Sequence, residues 1–413
     1  MGRPDFKTFK KAYENVKDYP DNNSLSAHFG ISDRSLTRWI KLYAREGNKL
    51  KSRYTKKSIK LDTPKQLESV RLKNQIKSLE SDILHLQKIA ISSDKLVSLI
   101  HGSKKEFVKT PNWLTQKSSK KDLHGIPLLF LSDIHFDEYV DGSQLNGANE
   151  YSRSIAKTRL KNIFETTVNI TTRFVAKPNY GGVVVALGGD LLSGNIHEEL
   201  LETNEAPILS SVLELTQILI DGITTFANTF TKVFIPCVVG NHGRLFKKPK
   251  CKNRVFDNYE WLIYQLLARH FRDDNNVTFL IPNGPDAIFK IYGKTFLLTH
   301  GDQFRGGSGI SGILTPLSLG LHRKQKKQAG LQRSFDVMLL GHFHQYIHTN
   351  NMVVNGSVKG YDEFANLHNF SWEPAQQALW INHPTNGMVF RTPVLCDNDI
   401  KDISELKTIE VFK

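Results

Sequence analysis

The stretch Ile126-Pro-Leu-Leu-Phe-Leu-Ser-Asp-Ile-His135 decides how the chain is read. A short apolar run reads as a buried strand. This one ends abruptly in an aspartate and a histidine. The same pattern recurs four times. Gly182–Leu187 runs into Gly188-Gly-Asp190, and Val233–Val239 into Gly240-Asn-His-Gly-Arg244. Phe296–Thr299 is followed by His300-Gly-Asp302, and Val337–Leu340 by Gly341-His-Phe-His344. Helical patterns at Ile155–Phe174, Ala206–Phe226 and Tyr259–Phe271 separate several of these strands. Strands alternating with helices predict an α/β domain. Open α/β sheets place their sites at the carboxyl ends of the strands. A lone Asp or His there is commonly a cap or turn residue. Five in order point to a common site, because buried Asp and His clusters are costly to desolvate without a metal.

Mixed imidazole and carboxylate donors suit Mn, with Fe or Zn as alternatives, better than Ca or Mg alone. Two divalent metal ions about 3.5–4 Å apart can hold a phosphate between them and lower the pKa of a water. Gly188, Gly189, Gly240 and Gly341 beside these residues are expected to allow tight turns and close approach of substrate.

The ordered motifs Asp-x-His, Gly-Asp, Gly-Asn-His, His-Gly and Gly-His-x-His, from about Ile126 to Arg391, resemble the calcineurin-like metallophosphoesterase superfamily. That resemblance implies a four-layer α/β/β/α fold, with two sheets packed together and flanked by helices. It implies that Asp133, His135 and His344 hold one metal, that Asn241, His300 and His342 hold the other, and that Asp190 bridges. His242 would face the scissile phosphate as general acid or charge stabiliser. The superfamily often has an acidic residue after Gly-Asn-His; here Gly243 and Arg244 follow, so the group orienting His242 stays open. Arg244 could grip a phosphate oxygen or form a surface ion pair. Glu138, His197 and Glu198 could steady the imidazoles or be exposed loop residues.

The net charge of +14 is unevenly placed: residues 1–125 hold 27 basic and 13 acidic residues, leaving 28 of each for 126–413. Concentrated positive charge suits a nucleic-acid partner. Within residues 1–60, Ser24–Ile40 reads as helix, tight turn, helix: Ala27 at a close approach, Gly30 at the turn, Ser32 or Asp33 as cap, and Phe29, Ile31, Leu36 and Ile40 as the apolar face. This resembles the helix-turn-helix of resolvases and transposases, and by that resemblance Arg34, Ser35 and Arg38 would face DNA. In residues 61–101, Leu72, Ile76, Leu79, Ile83, Leu86 and Ala90 trace a heptad seam, suited to a homodimeric coiled coil or to packing on the same chain. Residues 102–125 read as an exposed basic linker before the catalytic domain at 126–413. Near the last two motifs, Arg305–Gly312 reads as a mobile glycine-rich loop, and His322–Lys327 as a phosphate track or a solvated run.

The absence of an apolar run of about 18 residues predicts no membrane span. An N-terminus without an apolar segment predicts no secretory signal. Three cysteines without close spacing read as reduced thiols, which places the protein in the cytoplasm. The scaffold serves many phosphoesterases, so the substrate is argued from the rest of the chain. The helix-turn-helix, the basic front third and motifs similar to those of SbcD-type repair nucleases favour a DNA nuclease or DNA-end-processing enzyme. The alternatives are a phosphatase or cyclic-nucleotide phosphodiesterase localised by its front third, and a DNA-binding regulator with a vestigial site. The layout is similar to proteins of large tailed bacteriophages, which would place it in the host cytoplasm; a partner ATPase subunit is an open expectation.

Overall fold

The computed structural model describes residues 6–15, 18–19, 22–45, 110–115, 125–175, 178–304 and 312–397. The expected coiled-coil helix, most of the linker and residues 305–311 of the glycine-rich stretch lie outside them. The chain divides into two compact units, Met1–Ser98 and Leu99–Lys413.

In the first unit, α1 (Phe6–Glu14), α2 (Asn22–Phe29) and α3 (Asp33–Arg45) enclose Phe9, Tyr13, Leu25, Leu36 and Tyr43. Gly30 takes φ +57° between α2 and α3, a conformation that costs glycine little. Ser32 caps α3, its Oγ accepting from Ser35 N at 3.4 Å. Of the expected apolar face, Leu36 is buried and Phe29, Ile31 and Ile40 pack half-buried against the cluster. Ala27 is exposed rather than at a helix–helix approach. Arg34, Ser35 and Arg38 share the exposed side of α3.

The second unit is mixed α/β with two sheets. In the first sheet β1 (Ile126–Leu131), β2 (Val183–Leu187), β3 (Val233–Pro236) and β4 (Val277–Leu280) run parallel in that order. Antiparallel β10 (Gln376–His383) and β11 (Gly387–Leu395) extend its β1 edge, with Leu128 between Val184 and Trp380. The second sheet has the order β5-β6-β7-β9-β8. These strands are β5 (Asp286–Ile291), β6 (Lys294–Thr299), β7 (Val337–Leu340), β8 (Ile347–His348) and β9 (Met352–Val354). In it β6, β7 and β9 are parallel.

Every residue of β1, β2 and β7 is buried, which accounts for their uninterrupted apolar runs. One cluster joins the sheets: Phe130, Val184, Phe234 and Trp380 from the first meet Phe289, Phe296, Leu339 and Val353 from the second. Alternate residues Leu297, Met338, Leu340 and Val354 instead pack on Leu317 and Leu321 of the helix Leu314–Gly330. The helices Arg153–Arg173 and Ile208–Phe230 meet where Gly222 admits the Phe164 ring; a Cβ on Gly222 would lie 2.2 Å from it. Helix Ile208–Phe230 is, by length and composition alone, apolar enough to cross a membrane. It buries Val212, Leu215, Leu219, Ile223 and Phe226, and its Glu214 is ion-paired with Arg153.

Three expectations shift. β3 ends at Pro236, because Cys237 makes only an isolated bridge to Leu187. Part of the expected exposed linker packs onto the second unit: Leu114 is fully buried, and its carbonyl accepts from Tyr292 N at 2.7 Å. The His322–Lys327 run is not a uniform surface track, since Lys324 is buried in an ion pair with Asp286 while its neighbours Arg323 and Lys326 are exposed.

Candidate metal centre

All five strand-end motifs converge. The turns after β1 and β2 are zipped together: Asp133 N donates to Gly189 O and His135 N to Asp190 O, each at 3.0 Å. Asp133, His135, Asp190, His342 and His344 hold φ between +49° and +68°. Non-glycine residues adopt this left-handed conformation at a cost, and it clusters at functional sites. It turns each chain sharply at the end of its strand. Two of the glycines make room for ligand carboxylates. A Cβ on Gly240 would lie 2.1 Å from Asp190 Oδ1, and one on Gly341 2.2 Å from Asp133 Oδ2.

Three groups of side chains are close enough to share a metal ion: Asp133, His135 and His344; Asp190, His300 and His342; and His135, Asp190 and His242. His135 Nε2 lies 3.1 Å from His344 Nε2, and His344 Nε2 lies 3.4 Å from Asp133 Oδ1. On the other side His300 Nε2 lies 2.9 Å from Asp190 Oδ2 and 3.2 Å from Asn241 Oδ1. The seven ligand positions read from the sequence are thus brought together, with Asp190 shared between two groups.

The donor set fits divalent cations. His300 Nδ1 lies 2.9 Å from Gly188 O. A carbonyl can only accept, so Nδ1 carries the proton and Nε2 is bare in the neutral ring. His135 Nδ1 lies 3.0 Å from Glu138 Oε2, a contact off in-line hydrogen-bond geometry. Two imidazole Nε2 atoms facing one another at 3.1 Å repel as lone pairs unless a cation or proton lies between them. Burial, with Lys359 and His242 adding to it, lowers His135 to about 4. Burial and the neighbouring His300 lower His342 to about 4 as well. Both rings are neutral at pH 7, as ligands must be. Burial opposes ionisation of Asp133 and Asp190, but the surrounding imidazoles override it and hold both below the usual carboxylate range. His300 is the reverse case: burial works against its charge, yet Asp190 raises it to about 10. A cation taking the place of that proton relieves the same buried carboxylate.

His242 sits half-buried, its ring 4.5 Å from that of His135. A backbone carbonyl, not an acidic side chain, orients it. Nδ1 lies 2.8 Å from the carbonyl of Ser193, and the backbone N–H donates to Asp190 Oδ1 at 2.8 Å. Among the described residues Arg244 pairs with no carboxylate. Its guanidinium donates to the carbonyls of Asn241, Phe246 and Lys247. Glu138 is buried beside His135 and held by Lys359 Nζ at 2.8 Å, which in turn lies 2.5 Å from Asp362. Glu198 is exposed and pairs with Lys247, and His197 is exposed with its ring 5.6 Å from that of His242; neither touches a candidate ligand.

Several bracing residues carry no sequence signal of their own. Glu260 is fully buried and accepts from Leu191 N at 2.8 Å and Gly240 N at 2.7 Å, tying the Asp190 and Asn241 turns together. Burial and the nearby Asp190 raise its carboxyl to about 8. Ser132 Oγ donates to Asp133 Oδ2 at 2.5 Å and accepts from Asn355 Nδ2 at 2.9 Å. Glu260 follows the capping Asn258 at a helix start, and only that cap is visible in the sequence.

No protein-family profile matches the chain, and no curated protein matches it. Solved structures similar to it include vacuolar protein sorting 29 of Cryptosporidium parvum, at 14% identity over 62% of this chain and 84% of that one, with TM-score 0.26. A single mutant of Vps29 from Entamoeba histolytica is 12% identical over 62% of this chain and 84% of that one, with TM-score 0.25. The sulfate thiohydrolase SoxB of Thermus thermophilus, in complex with glycerol, is 11% identical over 67% of this chain and 58% of that one, with TM-score 0.27. Similarity at this level carries no argument about this chain's chemistry.

Proposed function

We propose that the protein is a two-metal phosphoesterase of the calcineurin-like type, with a four-layer α/β/β/α catalytic domain, and that it cleaves phosphodiester bonds in DNA. The observation that carries the reading is the convergence of His135, His344, Asp133, Asp190, Asn241, His300 and His342 at strand ends, with their imidazole nitrogens and carboxylates drawn together in shared groups. Asp133, His135 and His344 would hold one ion and Asn241, His300 and His342 the other, with Asp190 as the carboxylate available to both. Manganese is the ion the donor set suits best. Bound there, the two cations supply Lewis-acid polarisation of the phosphoryl oxygens and a nucleophile from water at neutral pH.

The chain's own residues do the rest. Glu138 lies beside the His135 ring, and the Gly188 carbonyl fixes the tautomer of His300. Glu260 and the His242 backbone N–H keep the Asp190 turn in place. His242, its Nδ1–H donated to Ser193 O, presents Nε2 as the proton-carrying atom for the leaving oxygen. The exposed Arg34, Ser35 and Arg38 of α3 contact duplex DNA, and the expected coiled coil pairs two chains. The basic front third favours a polynucleotide over a small phosphoester.

The test is hydrolysis of duplex DNA, single-stranded DNA and a small phosphodiester, with manganese and then with chelator, alongside His242→Ala and Asp190→Asn. The reading expects manganese-dependent DNA cleavage that both variants lose. Cleavage of the small diester alone would instead leave a phosphodiesterase that the front third merely localises.

A further inference from the structure

The segment joining the Asn241-His242 turn to the helix Tyr259–His270 contains Gly243-Arg-Leu-Phe-Lys-Lys-Pro-Lys-Cys-Lys-Asn-Arg254, with six basic residues and no acidic one. It lies in a stretch of chain, 126–413, whose charges sum to zero. Its two arginines serve architecture. Arg244 donates to the carbonyls of Asn241, Phe246 and Lys247, so the loop is curled back onto a candidate ligand. Arg254 Nη2 donates to both oxygens of Asp302 at 2.8 Å, two residues beyond His300. Each end of the loop is therefore pinned to a ligand-bearing turn, one from each sheet.

The lysines between the pins face solvent. Among the described residues, Lys247 pairs with Glu198, whereas Lys248, Lys250 and Lys252 pair with no carboxylate. Lys250 Nζ lies 3.1 Å from the centroid of the Phe246 ring, which is 43% exposed. Asn241, Arg244, Phe246, Lys248, Lys250 and Arg254 line one cleft, so a candidate metal ligand and two ammonium groups share a wall. Cations held on a pinned loop lose little conformational freedom when they meet anions.

We propose that this loop is a strand-binding subsite in which Lys248, Lys250 and Lys252 hold the backbone phosphates that flank the scissile one, while Phe246 offers a face on which a base stacks. The assignment rests on the reading that the substrate is a polynucleotide. A phosphomonoester has no neighbouring phosphate and no use for a row of cations beside the reacting position. A nucleic-acid strand has both phosphates for the lysines and a base for the ring.

Lysine footprinting tests this on the full-length protein. The wild type is acylated in chelator, with and without a thymidine oligonucleotide of about eight nucleotides, within the span of a single-strand site. Reactivity at Lys248, Lys250 and Lys252 is read by mass spectrometry. The expected result is several-fold protection of all three. In parallel, the variant carrying Lys248→Ala, Lys250→Ala and Lys252→Ala should raise KM for the oligonucleotide with kcat kept and small-diester hydrolysis unchanged. Its salt dependence of oligonucleotide affinity should flatten by about 2 in log–log slope, from about 0.7 for each single-strand phosphate released. Equal reactivity of the three lysines with and without oligonucleotide overturns the assignment, even in an enzyme that cleaves DNA. Equal protection by poly-glutamate of matched charge overturns it too. A wild type that hydrolyses no phosphodiester refutes the metal-centre reading and leaves the footprint fully interpretable, so the two failures are distinct.

Discussion

Replacing Lys359 with methionine removes the one cation from a buried cluster and leaves a side chain of similar length. Lys359 is 3% exposed, and its ammonium lies 2.8 Å from Glu138 and 2.5 Å from Asp362. Burial opposes ionisation of both carboxyls, but the Lys359 ammonium overrides it and holds them below the usual carboxylate range. With the cation gone, two buried carboxylates face each other unpaired, and breaking a buried pair in this way costs about 3–5 kcal/mol. Protonation bounds the loss. Neutralising one carboxyl at pH 7 costs about 1.4 kcal/mol for each unit above an ordinary value near 4.3, or about 4 kcal/mol. In the wild type the two depressed carboxyls contribute stability above the ordinary carboxylate range and lose it as pH falls through their folded values. In the variant their folded values rise above the unfolded ones, so the penalty is full at neutral pH and shrinks toward about 1 kcal/mol at pH 5. Urea unfolding at both pH values, followed by emission of the buried Trp380, measures it. A loss under about 1 kcal/mol at pH 7 would refute the electrostatic account. So would a loss that stays constant between the two pH values, which would point to packing alone.

Glu260→Gln places an amide N–H₂ against a backbone N–H that now finds an acceptor. Manganese affinity should fall about 10–100-fold by calorimetry, and an unchanged affinity would show that the Asp190 and Asn241 turns need no such tie. Gly222→Ala drives a methyl into the Phe164 ring and should cost about 1–3 kcal/mol in urea unfolding without altering metal affinity. Arg34→Ala with Arg38→Ala should flatten the salt dependence of duplex-DNA binding by about 0.9 in log–log slope for each phosphate no longer neutralised. An unchanged slope would remove α3 from the DNA interface.

Much of the centre was legible because its ligand types sit at the ends of uninterrupted apolar runs, and β1, β2 and β7 are buried on both faces. The half-exposed strands left no such mark: in β5 buried residues alternate with less buried ones, and β11 buries only Met388 and Val394. Residues that brace the ligands were hidden by sequence distance. Lys359 meets Glu138 from 221 positions away, and Glu260 reaches back to Leu191 across 69. The three backbone carbonyls that Arg244 meets could not be read from its residue type. The basic loop after it was masked by the zero net charge of residues 126–413, a sum that conceals local clustering.

The seven converging residues are proposed to hold two metal ions. Manganese bound per chain at equilibrium, counted by dialysis and read by electron paramagnetic resonance, tests it most directly. The account predicts two ions per chain with a spin-coupled signal, and loss of that coupling in Asp190→Asn, where the shared carboxylate is gone. Manganese that binds only weakly and at the same level in wild type and Asp190→Asn would contradict it.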